Sequence, residues 1–315
     1  MSRTDWRVKR SGSGCPGLPL ALPEKTIGIV GTGRIAQALA RLLHERGGFA
    51  VAISGRDPHK AAAAAAFAGP GVRCVPLDRL SGSVRRILIA VADAAIGEVA
   101  ERLAGAGMRE GLAIHTCGAH GPELLAPLAR AGVRCGVIHP LQTVASPAQG
   151  VAALPGSSFL VDGDEAAKQW AAELVACVGG RLLEIAGDRR ALYHAAAVLA
   201  SNCVVALLSA SAKTMSCAGM REDEALAALA PLVQSSVANA LSMGPAAALT
   251  GPVRRGDVST VAAHLEAMKP LPAEISEIYR VLGRQALVLA EQAGLSPDKA
   301  RRLETLLRND GGRKE

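Results

Sequence analysis

The chain has 315 residues, half of them hydrophobic, and a formal net charge of +7 at pH 7. This length is sufficient for two domains with substantial cores, and the apolar content excludes a largely disordered chain. Arginine and lysine are concentrated near both ends, in residues 1–10 and 301–315, so the charge does not indicate a nucleic-acid-binding surface. The seven cysteines lack paired spacing, which is typical of a reduced, cytoplasmic protein.

Residues 1–24 predict a disordered N-terminal extension, because serine, glycine and proline occur there without hydrophobic periodicity. The segment also lacks the continuous apolar core of a signal peptide. We therefore expect the folded part of the chain to begin near residue 25.

The apolar run Thr26–Val30 leads directly into the motif Gly-x-Gly-x-x-Ala at residues 31–36. A strand, a glycine turn and a helix start in this order are what a dinucleotide pyrophosphate requires. The first glycine permits the tight turn, and the second lets the backbone approach the phosphates. The motif predicts nucleotide binding, against the alternative of an ordinary glycine turn. The candidate residues are Gly31, Thr32, Gly33, Arg34 and Ile35.

The end of the second strand, Phe49–Ile53, predicts which nucleotide is bound. In NAD-binding folds an acidic residue ends this strand and binds the ribose 2′-hydroxyl. Here Ser54 and Arg56 follow the strand, and a hydroxyl with a guanidinium suits a 2′-phosphate, so we expect NADP(H). The alternative is that Asp57 binds NAD, or merely caps the helix that begins at Pro58.

The first part of the chain alternates β-type runs with helical patterns. This alternation predicts an α/β fold, a Rossmann-type parallel sheet covered by helices on both faces. The predicted strands are Thr26–Val30, Phe49–Ile53, Val72–Val75, Arg86–Val91, Leu112–His115, Val133–Ile138, Ser158–Val161 and Arg181–Ile185. The predicted helices between them are Arg34–Arg46, Pro58–Ala68, Ala94–Ala106, Pro122–Ala131 and Asp164–Val178.

After Gly187 only helical patterns follow. The sequence therefore predicts an NADP-binding Rossmann domain at residues 25–187 and an all-α C-terminal domain at residues 188–315. The predicted helices of the second domain are Asp188–Ala218, Arg221–Ser242, Asp257–Met268, Ala273–Ala293 and Pro297–Arg308.

The segment Ala191–Ala212 is long and apolar enough to resemble a membrane span. His194, Ser201 and Asn202 interrupt it, so we expect a buried central helix and no membrane contact. On an ideal helix these three residues share an arc of about 120° with Ser209 and Lys213. This polar face could line a cleft, join helices by hydrogen bonds or lie at a subunit interface, because unpaired polar burial is costly. We favour the cleft.

Polar groups also follow three predicted strands, at the edge where ligands bind open α/β sheets. Ala92 and then Asp93 follow the fourth strand, Cys117 lies in the His115–His120 loop after the fifth, and His139 follows the sixth. Each histidine alone could be an ordinary loop residue. Together they predict the place where nicotinamide and substrate meet.

The segment Leu249–Asp257 contains two arginines and an aspartate in a compact turn. Arginine binds carboxylates through a bidentate fork, so Arg255 is a candidate for holding a substrate carboxylate. The alternative is that Asp257 caps the next helix and the arginines are solvated.

Several of these segments together resemble one group of proteins, the Rossmann-like oxidoreductases with a C-terminal helical domain of unknown function. The segments are the glycine motif, His-Pro-Leu-Gln-Thr at 139–143, Tyr-His-Ala-Ala-Ala at 193–197, Ser-Asn at 201–202, Thr-Gly-Pro at 250–252 and Arg-Gly-Asp at 255–257. The wider superfamily is similar to 6-phosphogluconate dehydrogenase, β-hydroxyacid dehydrogenases, pyrroline-5-carboxylate reductase and ketopantoate reductase. The resemblance spans roughly residues 25–290.

This resemblance implies an NADP(H)-dependent reductase of a small carbonyl compound, such as a ketopantoate-like 2-oxo acid, or of an imine. It also implies a helical domain that often forms a homodimer and closes the active site. His194 is then expected to donate the proton, since histidine cycles near neutral pH, with His139 as a second candidate acid. Asn202 would orient the substrate, and Ser201 and Arg255 would bind it.

The chain departs from this group at three positions. β-Hydroxyacid dehydrogenases and ketopantoate reductases place a lysine four residues before the helix asparagine, where this chain has Val198 before Asn202. Cys117 and Ala92, both cofactor-binding candidates, stand where relatives are expected to have serine and proline. The missing lysine motivates an alternative, a regulatory or interaction protein that binds NADP(H) without turnover.

Overall fold

The computed structural model describes residues 25–186 and 189–308. The chain divides into two compact units, the first ending at Val198 and the second beginning at Leu199. The predicted N-terminal extension, residues 1–24, and the predicted boundary residue Gly187 lie outside the described residues.

The first unit contains one eight-stranded sheet. Its strands are β1 (Thr26–Val30), β2 (Ala50–Ser54), β3 (Arg73–Cys74), β4 (Arg86–Ile89), β5 (Leu112–His115), β6 (Arg134–Pro140), β7 (Ser158–Gly163) and β8 (Arg181–Leu183). Their order in the sheet is β3-β2-β1-β4-β5-β6-β7-β8, and its first six strands follow the doubly wound order of dinucleotide-binding folds. The predicted α/β class is confirmed. One correction is needed, because β7 runs antiparallel to β6 while the other neighbouring pairs are parallel.

Helices cover both faces of this sheet. The helices of the first unit are α1 (Arg34–Gly47), α2 (Pro58–Ala68), α3 (Leu77–Leu80), α4 (Ile96–Gly105), α5 (Ala126–Arg130), α6 (Pro147–Ala153), α7 (Glu165–Val178) and most of α8 (Arg190–Ala200). On one face Ile27 and Ile29 pack in one cluster with α1, α2 and α7. On the other face Val30 and Ile87 pack with α3, α4 and α5. Both faces of the strands are therefore buried, which is why they read as nearly continuous apolar runs.

The second unit is entirely helical within the described residues. Its helices are α9 (Asn202–Cys217), α10 (Glu222–Met243), α11 (Pro245–Ala248), α12 (Gly251–Arg255), α13 (Val258–Ala267), α14 (Ala273–Gln292) and α15 (Pro297–Arg308). Its core joins Val253 of α12, Val261 of α13, Leu287 of α14 and Leu303 of α15. The short helix α12 occupies part of the Leu249–Asp257 segment, for which the sequence predicts a compact turn.

The helix predicted at Asp188–Ala218 is two helices in the structure. Ser201 lies between α8 and α9 with φ −126° and ψ −74°, outside the helical region. Its hydroxyl donates a hydrogen bond to Asn202 Oδ1 at 2.9 Å. The arc predicted from one ideal helix therefore does not extend across Ser201.

The expectation of a buried central helix is also wrong. Within the segment Ala191–Ala212, Ala212 is the one buried residue. Leu192 is 72% exposed and Val205 is 68% exposed. Two stretches of the described chain, Arg190–Cys217 and Glu222–Met243, have the length and apolar composition of a membrane span, which by itself is a weak indication.

Candidate functional site

A cavity of about 790 Å³ lies at the carboxyl ends of β1, β2, β4 and β5. Eight of the predicted cofactor-binding residues line it: Gly31, Thr32, Gly33, Arg34, Ile35, Ser54, Arg56 and Ala92. Thr116 after β5 and Val144 after β6 line it as well. Cys117 is not one of the lining residues, because its side chain is buried beside the loop.

The turn after β1 requires glycine at its first position. Gly31 has φ +133°, and a Cβ there would lie 2.1 Å from the carbonyl oxygen of Ala90. Its amide donates a hydrogen bond to the Ser54 carbonyl at 2.8 Å. A Cβ on Gly33, in contrast, would meet no atom within 4 Å. The backbone at Gly33 is therefore open to an approaching group.

The N-terminus of α1 is suited to an anion. Its cap residue Gly33 provides no side-chain hydrogen bond, and the first turn contains no acidic residue. The first amides of a helix have no partner within the helix and carry a partial positive charge. Phosphate groups bind at such helix ends.

The end of β2 contributes polar side chains to the cavity. Ser54 is buried, and its Oγ has no hydrogen-bond partner among the described residues. Asp57 caps α2, since its Oδ1 accepts hydrogen bonds from the amides of His59 at 2.9 Å and Lys60 at 3.2 Å. These bonds hold the pKa of Asp57 below its ordinary value. The predicted alternative that Asp57 acts as a cap agrees with this geometry, and Ser54 and Arg56 line the cavity.

A second group of polar side chains lies at the carboxyl end of β6. His139 Nδ1 is 2.8 Å from the Tyr193 hydroxyl, and the two rings are nearly perpendicular. The ring of His194 lies 6.2 Å from that of His139. Burial first, and then the proximity of His194, lower the pKa of His139 to about 4. The neutral imidazole can therefore accept the Tyr193 hydroxyl proton in a hydrogen bond at pH 7.

His194 has an unsatisfied ring nitrogen. Its Nδ1 is buried and has no hydrogen-bond partner among the described residues. A buried nitrogen without a partner is costly, so this atom is expected to meet a ligand or a water molecule. The two predicted acids His139 and His194 thus come together, and Tyr193 joins them.

An ion pair that was not predicted holds the first part of α8 on the sheet. Arg190 Nη2 contacts Asp162 Oδ2 of β7, and the Arg190 side chain is 6% exposed. Arg190 Nη1 is buried without a partner in the described structure. This pair and the His139–Tyr193 hydrogen bond explain why the first unit extends to Val198, beyond the predicted boundary at Gly187.

The other loop histidines have structural positions. His115 is fully buried; its Nδ1 accepts from the Cys117 amide at 3.1 Å and its Nε2 donates to the Gly121 carbonyl at 2.8 Å. Both ring nitrogens are therefore satisfied, and burial lowers the pKa of this ring. His120 is exposed. The ordinary loop interpretation fits both residues.

The remaining predicted site residues belong to the helical unit. Ser201 and Asn202 lie at the start of α9, and Arg255 ends α12. Asp257 caps α13 through hydrogen bonds from Thr260 and Ser259, which lower its pKa to about 2. The alternative predicted for Asp257 is therefore the observed one.

Fold and site together define a Rossmann-type, dinucleotide-binding architecture followed by a helical domain. A family model described as Rossmann-like domain matches residues 17–140. The model described as Domain of unknown function (DUF2520) matches residues 157–286. The chain thus has the two-domain composition that the sequence resemblance indicated, and that prediction is confirmed. A comparison with curated protein sequences gives no match.

Solved structures share this fold along nearly their whole length. Protein TM1727 from Thermotoga maritima is 23% identical with a TM-score of 0.68, over 85% of this chain and 99% of that one. An imine reductase from Pseudomonas sp. is 17% identical with a TM-score of 0.61, over 90% and 99%. A Plasmodium falciparum pyrroline carboxylate reductase with NADP bound is 12% identical with a TM-score of 0.56, over 89% and 97%. At these identities the likeness establishes the fold.

Proposed function

We propose that this protein is an NADPH-dependent reductase of a small carbonyl or imine compound. The observation that carries the proposal is the pairing, in one unit, of a dinucleotide-type cavity with the His139–Tyr193–His194 group at the carboxyl edge of the same sheet. The imine reductase and the pyrroline carboxylate reductase of the same fold support the reaction class.

Different residues of the cavity would bind different parts of the cofactor. The amides at the start of α1 would hold the pyrophosphate, and Ser54 with Arg56 would hold the 2′-phosphate. Bound NADPH would supply the hydride. Ala92 and Thr116 line the part of the cavity beyond the glycine turn, and Cys117 lies beside it as a support of the His115 loop.

The proton would come from His194, whose buried Nδ1 has no hydrogen-bond partner among the described residues. The neutral His139 ring accepts a hydrogen bond from the Tyr193 hydroxyl. In this proposal Tyr193 positions the neighbouring histidine rings and does not itself transfer the proton. Asn202 and Ser201 would orient the substrate oxygen or nitrogen, and Arg255 would hold an acidic group of the substrate. A ketopantoate-like 2-oxo acid is the first substrate to test, and an imine is the second.

Oxidation of NADPH in the presence of 2-oxo acids and imines tests this function. We expect a steady fall in NADPH absorbance with at least one compound of the panel. If the protein binds NADPH but oxidises it with none of them, the alternative of a cofactor-binding regulatory protein replaces the reductase. Val198 stands where related enzymes are expected to have lysine, and this difference is the reason for testing the regulatory alternative.

We further propose that a second copy of the chain covers the helical unit. Large apolar side chains on α9 and α10 face solvent in the single chain: Val205 is 68% exposed, Leu232 64% and Leu241 84%. Leu232 and Leu241 lie on opposite faces of α10, and a helix that is apolar on all its faces is normally buried. A homodimer would bury these side chains and would also explain their apolar composition without a membrane.

Light scattering measures this association directly. We expect the mass of a dimer for the wild type and a shift toward monomer for the double variant Leu232→Asp/Leu241→Asp. A monomeric wild type would contradict the proposal, and recovery of the protein only with membranes would favour a membrane surface in its place. The six cysteines of the described residues form no disulfide, which supports the cytoplasm as the compartment.

A further inference from the structure

The helical unit contains a pocket whose charged lining is entirely basic. The pocket has a volume of about 800 Å³ and lies beside α12 and the connection between α14 and α15. Its polar lining consists of Thr250, Arg254, Arg255, Ser296 and Lys299. No acidic side chain from the described part of the chain lines it. Three cations around one concavity produce a positive potential that attracts small anions.

These cations have no carboxylate partners within the described residues. Arg254 Nη2 donates to the carbonyl of Ala293 at 2.9 Å, and Lys299 Nζ donates to the carbonyl of Arg255 at 3.3 Å. Neutral carbonyl groups do not compensate the positive charges of Arg254 and Lys299. Asp257 is near enough for Arg255 to lower its pKa, but its oxygens are used by the α13 cap.

The position of Lys299 is fixed by close packing on the end of α12. Gly256 has φ +68°, and a Cβ on it would lie 2.5 Å from Lys299 Cδ. The lysine stem therefore lies against the glycine backbone, which directs its ammonium group to the Arg255 carbonyl. The arrangement holds the Lys299 ammonium group beside the Arg255 backbone, and both residues line the pocket.

An apolar groove adjoins the basic pocket. It has a volume of about 310 Å³, and Leu249 and Thr250 line both spaces. The rest of the groove is formed mainly by aliphatic side chains, including Leu207, Val253, Ile275, Ile278 and Leu282. A ligand that occupies both spaces needs an acidic group at one end and an apolar body at the other.

We infer that the helical unit binds a small organic acid, with the acidic group at Arg255 and Lys299 and the aliphatic part in the groove beside Leu249. Charge complementarity selects the acid, since arginine and lysine are the groups that bind carboxylates by charge-assisted hydrogen bonds. The groove selects an aliphatic body over a polar one. The inference rests on the proposed function only for the further step that this acid is the substrate.

A series of simple carboxylates tests the site without any cofactor. The full chain is titrated with acetate, butanoate and hexanoate at constant ionic strength, and its thermal unfolding midpoint is followed. A ligand that binds the folded state alone raises the midpoint in a saturable way. We expect apparent affinity to rise along the series by up to about fourfold for each added methylene, the ratio that burial of one CH₂ gives. Hexanol, which has the same body without the charge, is expected to give no saturable shift.

Two double variants separate the pocket from general charge effects. Arg255→Ala/Lys299→Ala is expected to abolish the saturable shift. Arg221→Ala/Lys269→Ala removes two cations of the same unit that pair with their own acidic neighbours, and it is expected to respond as the wild type does. The unfolding midpoint without ligand shows in the same experiment whether each variant is folded.

Equal shifts in both double variants, or no saturable shift in the wild type, would overturn the inference. Equal affinities for acetate and hexanoate would overturn the assignment of the groove. A protein that shows the expected shifts but oxidises no NADPH would separate failure of the proposed reductase from failure of this site. A reductase that is unaffected by both Arg255→Ala and Lys299→Ala would place its substrate elsewhere.

Discussion

The proposed proton transfer depends on one side chain of α8, that of His194. His194→Ala should lower kcat by about 10²-fold or more if the imidazole donates the proton, because that is the usual contribution of a general acid. The KM for NADPH should change little, since His194 does not line the cofactor cavity. Steady-state kinetics with the substrate found in the panel measures both.

The control for this variant is a histidine outside the proposed group. His264 lies in the helical unit, where its Nδ1 is 2.8 Å from the Tyr279 hydroxyl. His264→Ala removes an imidazole without touching His194 and should leave kcat nearly unchanged. Near-normal turnover by His194→Ala would remove this histidine from the mechanism.

His139 makes the stability of the protein depend on pH. Burial lowers its pKa from 6.5 to about 4 in the folded state, so the unfolded chain binds more protons between these two values. The free energy of unfolding should therefore decrease as the pH falls through this interval, and the contribution should be fully present above it. Burial lowers the pKa of His115 in the same direction, so part of the slope belongs to that ring.

Urea unfolding of His139→Gln at several pH values isolates the contribution of His139. We expect a shallower loss of stability between pH 6.5 and about 4 than in the wild type, and a constant difference between the two proteins above pH 7. Identical slopes for variant and wild type would show that His139 is not held neutral by the fold.

Sequence reasoning found the residues whose chemistry depends on local order. Gly31, Gly33 and Ser54 follow from a strand, a turn and a helix that are adjacent in the chain, and all three line the cavity. Arg190 and Asp162 could not be found in this way, because they are far apart in sequence and pair only through the register of β7 and α8. Tyr193 belonged to a recognised motif, but its hydrogen bond to His139 became visible only in the structure.

At the level of elements, the attachment of α8 to the sheet depends on the ion pair between Arg190 and Asp162. Arg190→Ala leaves the Asp162 carboxylate without its cation and removes the buried side of the pair, so it should lower the free energy of unfolding by about 2–3 kcal/mol. Arg41→Ala breaks an exposed pair with Glu45 one helical turn apart and removes the guanidinium from the Phe67 ring, so it should cost less, about 1 kcal/mol. Urea denaturation compares the two variants.

Similar losses in Arg190→Ala and Arg41→Ala would contradict this account of α8. The double variant Arg190→Met/Asp162→Leu provides a second test. It removes both charges together, so it should recover part of the stability that Arg190→Ala loses.

The sequence predicts the bounds of strands that are buried on both faces well. It predicts short elements and breaks within helices poorly. β1 and β5 have the predicted bounds, because apolar runs between polar turns leave little choice. The direction of β7 has no sequence signal, since a strand reads the same in either orientation. The break at Ser201 was missed because alanine, valine and leucine surround it on both sides and favour a continuous helix.

At the scale of the whole molecule, the sequence does not predict where the apolar helices of the helical unit are buried. The composition of Ala191–Ala212 indicated burial, and the single chain leaves most of this segment exposed. A sequence does not distinguish a helix buried within its own chain from one buried between two copies. The same composition therefore supported a wrong expectation about the fold and supports the proposal of a homodimer.

The whole account depends on a cavity that binds a pyridine nucleotide, and titration calorimetry tests this most directly. We expect a saturable heat of association with NADPH and weaker binding of NADH. Arg56→Ala should weaken NADPH binding by about tenfold or more, the usual effect of losing a hydrogen bond to a charged group, and should leave NADH binding unchanged. The absence of any heat of association with either nucleotide would contradict the account.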